Sequence, residues 1–79
     1  MKFGLDMAAI LETIFKSIEF SRKIGKKVAT AWFVEDHDDA VAWDVLNQLA
    51  QLGYNASFRK YYDNSYDPPL VSTEYEIKW

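Results

Sequence analysis

The chain has 79 residues, of which 49% are hydrophobic, 16% aromatic and 27% charged, enough apolar mass for one core and unlike the composition of disordered chains. It has no cysteine, which excludes disulfides, thiolate metal sites and thiol nucleophiles and suits a cytoplasmic protein. The formal net charge is −3, with six basic and three acidic side chains in residues 1–34 and three basic and nine acidic in residues 35–79; this lacks the dominant basic surface of a nucleic-acid binder and suits intramolecular or head-to-tail attraction.

Along MKFGLDMAAILETIF, Asp6, Glu12 and Lys16 interrupt the apolar residues before they reach signal-peptide or membrane-spanning length, so the chain is expected to be a soluble single domain, 1–79, with no membrane partner. Asp6 is placed to cap a helix, with Leu5 and Ile10 spaced as a hydrophobic staple across the cap. Met7, Ile10, Leu11, Ile14 and Ile18 recur at helical spacing, and Glu12 with Lys16 and Glu19 with Lys23 are favourable i,i+4 pairs on the other side. Gly25 suits the left-handed position after a helix end, which gives a helix over about 6–24. Val28 to Val34 is rich in β-branched and aromatic residues with apolar side chains on both faces, the pattern of a central, buried strand over about 27–34.

A second helix, over about 37–52, is predicted by Val41, Ala42, Val45, Leu46, Leu49 and Leu52, with Gly53 closing it. Two strands follow, over about 54–62 and about 70–79, each alternating core and solvent side chains, joined by DNSYDPP. Setting Phe58 opposite Tyr75 places Ala56 against Ile77 on the core face and Arg59 against Glu74 on the other. The expected fold is α+β, a small two-layer domain of order α-β-α-β-β: a right-handed β-α-β crossover with parallel strands plus a hairpin strand, in a three-stranded mixed sheet with both helices packed on one face. Strand, acidic cap, helix, Leu-Gly-Tyr, strand is a segment common to ferredoxin-like and other split β-α-β domains, and too generic to assign a family.

The run EDHDD, Glu35 to Asp39, holds the only histidine among four carboxylates. Its members could bind a metal or move a proton, and a metal-dependent hydrolase would use His37 with Asp36, Asp38 and Asp63. Spacing argues otherwise: the residues three and four beyond His37 are Ala40 and Val41, so no carboxylate shares its helix face. Asp36 or Asp38 as N-cap, with the other acids at the positive end of the helix dipole, explains the cluster without a ligand. DNSYDPPLVSTE resembles a calcium loop in its oxygen-bearing residues but has Pro68 where the turn requires glycine, and its flanks are strands.

Arg22, Lys23, Lys26 and Lys27, with Arg59, Lys60 and the nearby aromatic Phe20, could form a nucleic-acid patch. A helix C-terminus nevertheless repels anions, and these cations complete its dipole. No glycine-rich phosphate loop and no nucleophile–base–orienter set can be assembled, so no catalytic residue, metal or cofactor is assigned.

The helical period leaves Trp43 off the core stripe, on the side of Asp39 and Ala50, and leaves Phe20 outside the stripe of the first helix. Tyr61 points to the polar face of its strand, and Tyr66 lies in the loop. Such surplus aromatics are the types enriched at interface hot spots. The expected function is a non-catalytic interaction module that self-associates as a homo-oligomer or docks on a larger protein, the kind of small acidic adaptor or inhibitor that phage and mobile elements encode. Its candidate contacts are Trp43, Asp39, Asp36, Phe20, Tyr61 and Tyr66. The alternative is nucleic-acid binding through Arg22, Lys23, Lys26 and Lys27.

Overall fold

A computed structural model of the chain describes residues 6–34 and 37–79. The elements are α1 (Met7–Lys23), β1 (Val28–Phe33), α2 (Asp39–Gln51), β2 (Asn55–Asp63) and β3 (Leu70–Lys78), the order read from the sequence. No helix among the described residues is long and apolar enough to cross a membrane.

Asp6 caps α1, its Oδ1 accepting from the Ala9 amide at 2.9 Å, while Leu5 lies outside the described residues. Asp38 caps α2 by accepting from the Ala40 amide at 3.1 Å, so this helix starts after His37 rather than at it. Both helices end in the same way. Gly25 and Gly53 adopt φ of 77° and 92°, and the amide two positions beyond each cap reaches back into the last turn, Lys26 to the Ser21 carbonyl at 2.8 Å and Tyr54 to the Leu49 carbonyl at 3.0 Å. These hydrogen bonds satisfy carbonyls that a helix end otherwise leaves to water.

The sheet corrects two expectations. Its strand order is β1-β3-β2 and both ladders are antiparallel, so it is not mixed. β1 and β2 do run in one direction, but β3 lies between them. The hairpin strand therefore enters the gap in the β-α-β unit instead of extending the sheet outward. The β2–β3 register read from the sequence is the one observed, with Phe58 opposite Tyr75, Ala56 opposite Ile77 and Arg59 opposite Glu74. As a result β1 is an edge strand: Ala29, Ala31 and Phe33 are buried, whereas Val28, Thr30 and Trp32 are exposed. Its apolar residues on both faces had suggested burial on both.

One core joins Ile10, Ile14 and Ile18 of α1, Ala42, Val45 and Leu49 of α2, and Ala29, Ala31, Phe33, Tyr75 and Ile77 of the sheet. Small side chains on β1 leave room for the isoleucines of α1, which lies against that strand, while α2 lies against β2. Leu52, counted in the stripe of the second helix, is exposed because the chain has already turned away at the cap.

Candidate functional site

At the start of α2, His37 is brought under the sheet end, only 7% exposed. Its Nε2 and the Tyr75 hydroxyl share a hydrogen bond of 2.6 Å in which the imidazole tautomer decides the donor. The two rings lie nearly parallel, and Phe33 meets both edge-on. Lys60, on the core face of β2, donates to the His37 carbonyl at 2.9 Å and pairs with Asp39 at 2.7 Å. Burial, and then the Asp39 carboxylate, push the Tyr75 phenol up from 10.0 to about 12, so it is a neutral hydroxyl at physiological pH. Thr73, opposite both Phe33 and Lys60, is fully buried. These groups tie the loop before α2 to β2 and β3.

The Tyr75 hydroxyl of β3 gives His37 a hydrogen-bond partner across the sheet. Sequence reasoning missed this because Tyr75 lies on β3, next to the histidine only in the observed strand order. Among the described residues no group of three or more His, Cys, Asp or Glu side chains is placed to hold a metal ion. Asp36 lies outside the described residues.

The remaining predicted contacts scatter over the surface. Trp43 is 59% exposed, yet its ring meets Phe58 edge-on at 5.3 Å, and Asp39 one turn earlier meets Lys60; the Asp39–Trp43 row of α2 therefore runs along β2 and covers the edge of the core. Tyr66 is exposed in the β2–β3 loop, away from Phe20, which is exposed on α1. The proposed basic patch is divided. Arg22 donates to the Tyr54 hydroxyl at 2.9 Å and lies over the rings of Tyr54 and Trp79, and Lys23 pairs with Glu19 at 3.7 Å. Lys26 and Lys27 lie beyond the helix end, and Arg59 and Lys60 belong to β2 on opposite faces.

Two features of the sheet were not singled out from the sequence. On the face opposite the core, Trp32 of β1 and Tyr61 of β2 meet across β3 with centroids 5.0 Å apart, although Trp32 remains 53% exposed. Val28 and Thr30 continue this surface along β1, and Glu74 and Glu76 of β3 lie between the outer strands. Beside the outer edge of β1 is a groove of about 600 Å³, walled by Thr13, Lys16, Ser17 and Phe20 of α1, by Ile24 and Lys26 after it, and by Val28 and Thr30. The signal was present in VATAWF, where small residues alternate with larger ones: the small set marks the face a helix approaches.

Comparison with known protein families, curated proteins and solved structures gave no match.

Proposed function

We propose that the chain is a small non-catalytic interaction module of the cytoplasm that associates with itself or docks on a larger protein as an adaptor or inhibitor, and that it does so through β1 and the open face of its sheet. The observation that carries this reading is the Trp32–Tyr61 pair, two large rings in tilted contact on the solvent-facing side of the sheet with Val28 and Thr30 beside them. An exposed tryptophan fixed by a neighbour has already lost rotamer freedom, so little further ordering is needed to bury it against a partner. The reading takes both helices to cover the face that carries Ala29, Ala31, Tyr75 and Ile77, which leaves the opposite face for contact.

The candidate contacts Trp43 and Asp39 on α2 are less suited to docking because they are engaged with Phe58 and Lys60. Nucleic-acid binding has weaker support: Arg22 is engaged with two rings, and Glu74 and Glu76 lie on β3 between the strands that carry Trp32 and Tyr61, where they repel phosphate.

A photo-reactive phenylalanine analogue at position 32 tests the proposal in living cells. A discrete cross-linked adduct, with a second copy or with another protein, is expected from position 32 and not from position 66. Absence of any discrete adduct at position 32 removes the reading.

A further inference from the structure

We infer that the partner at β1 is a second copy of this chain, joined by antiparallel β1–β1 pairing into a continuous six-stranded sheet, with the two α1 helices packed antiparallel above the seam. This pairing rests on the interaction-module reading and names its partner.

The first ground is the edge itself. VATAWF contains no charge, proline or glycine over six residues, and among the described residues it pairs with β3 alone, which leaves its outer side to another strand. Edge strands of proteins that stay apart are normally guarded by a charge, a proline, a bulge or a covering element. Among the described residues no further strand pairs with β1, and the groove between α1 and β1 lies beside that edge.

The second ground is a second stripe on α1. Thr13, Ser17, Phe20 and Ile24 follow one another at steps of four, three and four, the repeat of a helix–helix seam, about a quarter turn round the helix from the isoleucines of the core. Phe20 is 64% exposed and Ile24 is exposed beside it. A twofold axis between Ser17 and Phe20 sets Phe20 against Ser17 of the second copy and Ile24 against Thr13, large against small at each step. It also lays the Asp6 and Glu12 end of one helix beside the Lys26 and Lys27 end of the other, which is complementary in charge and in helix dipole. Lys16 and Lys23 approach across the seam, and each is already paired, with Glu12 at 3.3 Å and Glu19 at 3.7 Å.

The third ground is that one axis serves both layers. The midpoint of the helical seam lies about 8 Å back from Ile24 at 1.5 Å per residue. β1, folded back along α1, covers about the same distance between Lys27 and Thr30. Centring the strand pair on Thr30 keeps each face continuous and sets Trp32 against Val28 of the second copy on the open side. A closed, isologous dimer results.

Light scattering on the purified protein should give twice the monomer mass of 9.2 kDa, and Thr30→Lys, which sets two ammonium groups against each other on the axis, should raise the dimer dissociation constant at least about tenfold. Because the chain has no cysteine, Thr30→Cys is a clean second probe. Directly opposed residues of an antiparallel pair lie within disulfide range, so mild oxidation should convert it to a covalent dimer, while Ser57→Cys on β2 should not react at the same concentration. The cysteine probe stands even where the lysine variant fails to fold. A monomer at millimolar concentration, or a dimer in which Thr30→Cys does not cross-link, overturns the second-copy assignment. If position 32 still forms an adduct with another protein in cells, the interaction module survives with a different partner; if it forms none, both fall.

Discussion

The two outer strands of this sheet meet solvent in different ways. β2 carries Arg59 on its open face and Lys60 on its core face, with Asp39 holding Lys60 and Trp43 lying over Phe58, so charge and a helix guard that edge. β1 carries no charge of its own, and among the described residues no strand pairs with its outer edge, beside which the groove opens. A lysine aimed at the core is costly unless it is paired, and its retention on β2 is intelligible as a device that rejects an added strand. The difference teaches that Asp39, beside His37, serves the guarded edge: it anchors the lysine, which also donates to the His37 carbonyl.

The most severe way to break the comparison is to move the device. Ala31→Lys places an ammonium at the buried position of β1 opposite Tyr75, in the cluster with Ile14 and Ile18. With no acid like Asp39 set beside it, the change should cost more than about 4 kcal/mol, enough to unfold a small domain, and far-UV circular dichroism at neutral pH should show the loss. A folded Ala31→Lys protein would mean that β1 tolerates an inward charge as β2 does, and the contrast would disappear.

Next in size is the alkaline response of the cluster behind the guarded edge. The Tyr75 phenol titrates near 10.0 in the unfolded chain and at about 12 in the fold. Between those values the unfolded state has released the proton and the folded state has kept it, so stability is unaffected below the lower value and falls as pH rises through the window. The full loss is about 2 to 3 kcal/mol, at roughly 1.4 kcal/mol per pH unit. Urea unfolding on either side of the window should record it, and Tyr75→Phe should flatten the slope. An equally steep slope in Tyr75→Phe would assign the response to other groups.

Lys60→Met is milder. It keeps the stem and removes the ammonium, leaving the His37 carbonyl without that donor, at a cost of about 1 to 2 kcal/mol. Asp39→Asn should cost under about 1 kcal/mol because the carboxylate is mostly exposed and screened. The more telling readout is association: with its charge gone, the β2 edge of the methionine variant should show concentration-dependent scattering. A variant that stays as dispersed as the parent would mean that Lys60 is not the guard.

How much of this could be read from the chain depended on range. The cap at Asp6, an aspartate cap for α2 that the sequence left between Asp36 and Asp38 and that falls on Asp38, the turns at Gly25 and Gly53 and the β2–β3 register follow from neighbours in sequence or from two strands joined by a short loop. Strand order is a long-range choice. Val28, Trp32 and Val34 suggested a central strand on composition, but β3 occupies the middle, and the alternation of small Ala29 and Ala31 with larger residues was the better signal. The His37–Tyr75 bond and the Trp32–Tyr61 pair were hidden for the same reason, since each requires knowing which strand lies beside β3.

The smallest effect bears on the residue that the sequence made most conspicuous. Trp43 stands off the core stripe of α2, and its ring is spent on Phe58 at the guarded edge. Trp43→Ala should therefore remove one edge-to-face pair and some apolar cover, about 1 kcal/mol, visible as a small shift of the urea midpoint. It should leave the mass by light scattering and the adduct at position 32 unchanged, whereas Trp32→Ala should weaken both with little loss of stability. If Trp43→Ala instead dissolves the complex while Trp32→Ala does not, the two edges exchange roles, and the guarded side, with Asp39 and Trp43 at its rim, is where this protein meets its partner.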